Sequence, residues 1–227
     1  MDYYYNSTLQ DQLKFQFNGI ERIHQNYSHI NQDMFVLSIL NGKENGTYLE
    51  IGSNYPVHRN NTYILENQFR WRGVSVEVVE EYVDAFRAER INPVYLQDAL
   101  TADYEHLLRE NKICFVVDYL SCDIEPPENT FAALKKIPHN KIRFRTITFE
   151  HDSYTGGQGP QVREDSRKFL TELGYELIVS DVSYSGDSVE DWWVYPSLVD
   201  RAIVDKLKDI SSTHQNHQEI IYFKNNG

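Results

Sequence analysis

Apolar positions along the chain keep two different periods, and the changes between them mark its elements. From 9 to 23, "LQDQLKFQFNGIERI" puts Leu9, Leu13, Phe17 and Ile20 near helical spacing. A second helix is expected in "QDMFVLSILNG", capped by Asn31 and stopped by Gly42. Beyond residue 46 strands and helices alternate. "TYLEIG", "VSVE", "PVYLQD" and a run inside "CFVVDYLSCDI" predict four strands. "RFRTITFEH" predicts a fifth, since Phe144, Thr146 and Thr148 alternate with Arg145, Ile147 and Phe149. Helical patterns lie between them in "NNTYILENQFRWRG", "EYVDAFRAER", "ADYEHLLREN" and "PENTFAALKKI", the last starting on proline. This alternation implies a parallel sheet covered on both faces, an α/β three-layer αβα sandwich. The end differs: after the helix "DSRKFLTELG", two strands ("YELIVSDVS" and "DWWVYP") follow with no helix between them, an antiparallel pair at a sheet edge. The chain divides into a helical extension (1–45) packed on the core, a main domain (46–200) and a C-terminal helix or tail (201–227).

Composition narrows the partners. The 227 residues are 41% hydrophobic, enough for one domain with a sizeable core. Net charge is −12, from 34 acids and 22 bases. Duplex nucleic-acid binders carry a basic stripe, and the densest basic stretch, "KKIPHNKIRFR", reads instead as the approach to a strand. No nucleic acid and no membrane is the expectation. "MFVLSIL" is far short of a spanning helix, and "MDYYYNST" is unlike a basic secretory leader. Cys114 and Cys122 share one strand-like run, about 25 Å apart if extended, so they read as reduced, buried thiols of a cytoplasmic-type protein. The "YYY" at 3–5 reads as surface or interface, and a homo-oligomer is left open. Trp192 and Trp193 read as packing for an edge strand.

Candidate chemistry starts at "GTYLEIGSNYP". In open parallel sheets, ligands bind beyond the carboxyl ends of the strands where strand order reverses. Gly52 there lets backbone approach a ligand, with Ser53 and Asn54 shaping the turn. The glycines of a dinucleotide fingerprint are missing, since Asn54 and Val57 take their places, and this disfavours a nicotinamide oxidoreductase. Glu50 favours a cationic group. Glu77, ending the second strand, is placed for two ribose hydroxyls. Asp98, with Ala99 beside it, is placed for an adenine amino group at the third. A ligand with ammonium and sulfonium, ribose and adenine in that order is S-adenosylmethionine.

The chain resembles the FkbM-type methyltransferases of the class I S-adenosylmethionine-dependent superfamily. The tracts "GTYLEIGSN", "NTYILENQFRWRGVSVE", "DYLSCDIE", "ITFEHD" and "FLTELGYELI…DWWVYP" carry the resemblance in order, over roughly 31–200. It implies a Rossmann-like, seven-stranded, mostly parallel sheet with an antiparallel last strand. It also implies O-methyl transfer to a sugar or another small hydroxylated metabolite. Pro126 departs from the glycine usual after the fourth strand's acids. Asp123 is then expected beside the transferring methyl, and Glu125 and His151 are the catalytic candidates. The alcohol proton leaves either to His151 as general base or with help from Mg²⁺ or Mn²⁺ held by Asp123, Glu150 and His151. "TGGQGP" (155–160) is expected to be a lid-like loop. The rival is a methyltransferase-like binding or assembly protein without turnover.

Overall fold

The computed structural model describes residues 9–223; the tyrosines at 3–5 lie outside them. In chain order the elements are α1 (Leu9–Gln12), α2 (Gln32–Ile39), β1 (Thr47–Ile51), α3 (Tyr63–Phe69), β2 (Arg72–Glu77), α4 (Glu80–Glu89), β3 (Val94–Leu96) and α5 (Tyr104–Glu110). They continue with β4 (Val116–Cys122), α6 (Pro127–Lys136), β5 (Arg143–Glu150), α7 (Gly159–Glu172), β6 (Glu176–Tyr184), β7 (Asp187–Val194), α8 (Arg201–Ser211) and α9 (His217–Ile221). The strands form one seven-stranded sheet in the order β3-β2-β1-β4-β5-β7-β6. β1 to β5 run parallel, and β7 is antiparallel to both neighbours. β7 therefore slots between β5 and β6, so only β6 of the antiparallel pair stands at the edge. This is the Rossmann-like three-layer arrangement.

Side-chain alternation splits the core. Tyr48, Tyr119 and Trp192 face one apolar layer with α2, α3 and α8. Leu49, Ile51, Leu120 and Trp193 face the other with α5, α6 and α7. Trp192 stacks on Phe35 of α2 at 4.7 Å and 23°. The tryptophans thus pack on opposite faces of an interior strand. Cys122 is buried with its Sγ 3.6 Å from Thr130 O, while Cys114 is exposed. Among the described residues, no helix is long and apolar enough to cross a membrane.

Three local expectations are corrected. The first helix stops at Gln12, and Leu13 bridges Tyr222 while Lys14 N donates to Ile221 O at 2.9 Å. Leu13, Phe15 and Phe17 are all buried, so the governing period there is two and the Leu13–Phe17 match to helical spacing was incidental. Asn31 precedes α2 in a left-handed conformation (φ 66°) and makes no side-chain cap. Its amide lies 2.8 Å from His217 Nδ1 and accepts from Tyr222 Oη at 3.0 Å, tying the N-terminal segment to α9. Gly42 does end the helix, its N–H donating to Leu37 O at 2.8 Å. Finally, the 155–160 loop is shorter than expected, because α7 already begins at Gly159.

The segment before β1 is built into the main core. Phe35→Ala should cost about 3–5 kcal/mol in urea unfolding, in one cooperative transition. A loss below about 1 kcal/mol, or a separate early transition, would show that α2 is an appendage.

Candidate cofactor and acceptor site

A cavity of about 450 Å³ opens at the carboxyl ends of β1 to β4, across the β1–β4 boundary where strand order reverses. Gly52 and Asn54 line it from β1, Glu77 and Val78 from β2, Asp98 and Ala99 from β3, and Asp123 and Glu125 from β4. Seven of the expected site residues thus share one wall. Glu50, Ser53, Glu150 and His151 are not in that lining.

Glu77 is held in place by backbone donors. Asn54 N donates to Oε2 at 2.9 Å, while Val78 N and Val79 N donate to Oε1 at 2.8 and 2.9 Å. An ionised carboxylate has further lone pairs to offer a ligand. Asp98 Oδ1 accepts from Leu100 N at 2.8 Å, and Tyr104 Oη donates to Ala99 O at 2.7 Å, which steadies the turn after β3. Gly52 has φ 84°, and a Cβ there would sit 1.8 Å from Asp123 O. The glycine is therefore demanded by the neighbouring β4 backbone, with or without a ligand.

Glu50 lies beneath the cavity, 1% exposed. Its Oε2 accepts from Ser75 Oγ at 2.6 Å, and its Oε1 from Thr62 Oγ1 at 3.1 Å and Asn60 Nδ2 at 3.3 Å. Burial pushes its carboxyl up to about 7 against the pull of Arg90. Ser53 is buried too, and its carbonyl accepts from Asn60 Nδ2 at 3.0 Å. Both residues support the turn rather than line the cavity.

Beside Asp123 and Glu125, and mostly outside the cavity lining, lies a carboxylate cluster. Glu125, Glu150 and Asp152 bring oxygens within 4.8 Å of one another, and Glu190 pairs with Glu150 across the β5–β7 ladder. Burial, then the charge of Asp123, raises Glu150 well above the carboxylate range. Asp152 is pushed up to about 7 by burial and by Glu125. Glu190, raised to about 8 by burial, accepts from Trp192 Nε1 and from Gln32 Nε2 at 3.1 Å.

The structure does not bring His151 together with Asp123 and Glu150. His151 groups instead with Asp181 and Asp191. Its ring is fully buried: Nδ1 accepts from Ser153 N at 3.2 Å, and Nε2 lies 3.5 Å from Asp191 Oδ1. With Nδ1 taken by Ser153 N and Nε2 facing Asp191, neither ring nitrogen is open to an alcohol. Arg167 occupies the other side of Asp191, its Nε and Nη2 donating at 2.7 and 2.8 Å.

Sequence reasoning missed Val78, Val79, Tyr82, Leu100 and Ile124 in the cavity wall. Their signal was adjacency, since residues following a strand-terminal acid must border the same crevice. Glu190 and Arg90 carried no signal, because buried charges in "SVEDWW" and "RAERIN" read as surface positions.

No protein-family model matches the chain, and no curated protein matches it. Solved structures do. The chain is similar to a Clostridium thermocellum protein assigned as an rRNA-methylase, at 14% identity and TM-score 0.51, covering 76% of this chain and 99% of that one. It is similar to a chain of a fibrillarin/Nop5p complex at 14% identity and TM-score 0.53, covering 81% and 91%. Aeropyrum pernix fibrillarin with bound S-adenosyl-L-methionine matches at 19% identity and TM-score 0.47, covering 67% of each chain. The chain shares with such structures the fold of class I methyltransferases.

Carboxylates whose folded pKa is raised make the fold less stable as pH climbs, because the folded state holds protons the unfolded state has released. For Glu190 the loss starts near the ordinary glutamate value, about 4.3, and ends near 8. Its slope is at most about 1.4 kcal/mol per pH unit. Glu190→Gln should therefore stabilise the protein at pH 8–9 relative to wild type and change little at pH 4. Parallel stability–pH curves for the two proteins would refute a buried, proton-holding Glu190.

Proposed function

We propose that the chain is an S-adenosylmethionine-dependent methyltransferase acting on a hydroxyl of a sugar or another small hydroxylated metabolite. One observation carries the reading: Gly52 and Asn54, Glu77, Asp98 and Ala99, and Asp123 meet in strand order on a single cavity at the switch point. The residues present suit the group. Glu77 is a fixed acceptor for ribose hydroxyls, Asp98 for an adenine amino group, and Val78, Leu100 and Ile124 supply apolar walls for a flat ring. When bound, S-adenosylmethionine supplies a methyl group activated by its sulfonium. Asp123 and Glu125, which follow β4 in the cavity lining, border the space left for an acceptor.

The chain's own part is to orient the acceptor and take its proton. Asp152, with a carboxyl near 7 and within the Glu125–Glu150 cluster, suits a general base at neutral pH better than His151 does. The same oxygens have the chemistry of a Mg²⁺ or Mn²⁺ donor set, with Glu125 and Asp152 joining Glu150 in place of Asp123 and His151. A net charge of −12 and an acidic acceptor side favour a small-molecule or saccharide acceptor over a nucleic acid, unlike the rRNA named for the Clostridium protein.

Calorimetry with S-adenosylhomocysteine tests the cofactor: wild type should bind, and Glu77→Ala should weaken binding by about 1.5–3 kcal/mol. No binding by wild type would end the reading, and binding without transfer to any hydroxylated acceptor would favour the non-catalytic rival. In a methyl-transfer assay Asp152→Asn should lower the rate about 10²–10⁴-fold. The wild-type rate should rise with pH through about 7, since only ionised Asp152 accepts a proton. A full rate for Asp152→Asn would remove it from the chemistry.

A further inference from the structure

Arg90 ends α4 with its side chain turned into the protein, at 8% exposure. Nε donates to Glu66 Oε2 at 2.9 Å, and Nη1 to Pro56 O at 2.8 Å and Asn60 Oδ1 at 2.9 Å. Nη2 donates to Thr62 Oγ1 at 3.0 Å and Tyr48 Oη at 3.2 Å, and lies 2.7 Å from Glu66 Oε2. The guanidinium also lies over the Phe86 ring, 4.5 Å from its centroid. Despite its burial Glu66 is held below the usual carboxylate range by Arg90, so this is a charge pair whose members are both ionised. Only a planar fork reaches so many acceptors at once; an ammonium in the same place would leave several unpaired.

Pro56, Asn60 and Thr62 belong to one segment, the loop that leaves β1 at Gly52 and ends at α3. Asn60 extends the hold, because its Nδ2 donates to Ser53 O at 3.0 Å. Ser53 sits between Gly52 and Asn54, both in the cavity wall, and Asn54 is kept at φ 50°. A chain of contacts therefore runs from the guanidinium to the backbone that would receive the ligand.

We propose that Arg90 is a positioning residue for the cofactor: with Glu66 as its counter-charge, it fixes the 53–62 loop through Asn60 and so sets cofactor affinity. The proposal rests on the cofactor reading above. It has a consequence that packing alone lacks. Glu50 accepts from Asn60 and Thr62, and the titratable groups facing it are Arg90, Glu66, Tyr48 and Tyr119. Ionised Glu50 receives both donors, whereas protonation places a competing hydrogen in the network. Affinity should therefore rise with pH through about 7. Without the opposing charge of Arg90 the midpoint should move to higher pH.

The experiment is calorimetry of S-adenosylhomocysteine on the full chain from pH 6 to 9, with hydrogen exchange of the 53–62 segment. Wild type, Arg90→Lys, Arg90→Met and Asn60→Ala are compared. Asn60→Ala removes a neutral side chain only and keeps the test open should an Arg90 variant fail to fold. Arg90→Lys and Asn60→Ala should each weaken binding about tenfold and speed exchange in 53–62 but not in the strands. Arg90→Met should also shift the pH midpoint upward. Wild-type affinity in both Asn60→Ala and Arg90→Lys, with an unmoved midpoint in Arg90→Met, overturns the proposal and leaves the cofactor reading intact. Absence of binding by wild type at every pH overturns that reading and the proposal with it.

Discussion

The site depends on a close approach of two backbones. At the end of β1 the chain turns with Gly52 at φ 84°, so near β4 that even a Cβ would meet the Asp123 carbonyl at 1.8 Å. Asp123 N in turn donates to Ile51 O at 3.0 Å, the last bond between the strands before they part. β1 leads into the loop whose Gly52 and Asn54 line the cavity, and β4 into Asp123 and Glu125 on the same wall. The cavity is the space left where the connections of two parallel strands leave to opposite sides, and its shape is set by how tightly those strands stay paired until they separate. Gly52 thus serves the ligand by serving the sheet.

Burying carboxylates is expensive unless each finds donors or a counter-charge, and this fold uses both solutions. Glu50 and Glu77 are met by hydroxyl, amide and backbone N–H donors. Glu66 and Asp191 are met by arginines. Glu150 and Asp152 face further carboxylates, Asp123 and Glu125, and their acidities fall accordingly; Glu190 has donors in Trp192 and Gln32, yet burial still raises it. This group lies beside Asp123 and Glu125, which line the cavity. Perturbed carboxyls of this kind gather at functional sites.

The sheet was legible because parallel strands buried on both faces read as short apolar runs bounded by turns, and all seven strands lie where those runs do. The antiparallel finish followed from a missing helix between "YELIVSDVS" and "DWWVYP"; that β7 would insert inside β6 did not, since strand order across a hairpin leaves no mark on periodicity. The N-terminal segment was misread because Leu13 and Phe17 satisfy both a helical spacing and every second step of a strand. In the site, acids closing β2 and β3 were legible from position alone. Arg90 was not: its neighbours Glu89 and Ile91 are exposed, and its inward turn follows from acceptors contributed by Glu66, Pro56 and Asn60, none of them near it in sequence.

His151 and Glu150 show where strand logic decides chemistry. Both follow "RTITF", and reading them as one cluster with Asp123 ignores that consecutive residues along a strand point to opposite faces. Glu150 meets Asp123 and Glu190 on one side, and His151 meets Asp191 and Arg167 on the other. Asp152, two residues after Glu150, lies on the Glu150 side as that alternation requires, and opens a short 3-10 turn at φ 43°. The raised carboxyl of Asp152 thus lies one step after a histidine that, for all its better intrinsic pKa, is committed by geometry to the Asp191–Arg167 pair.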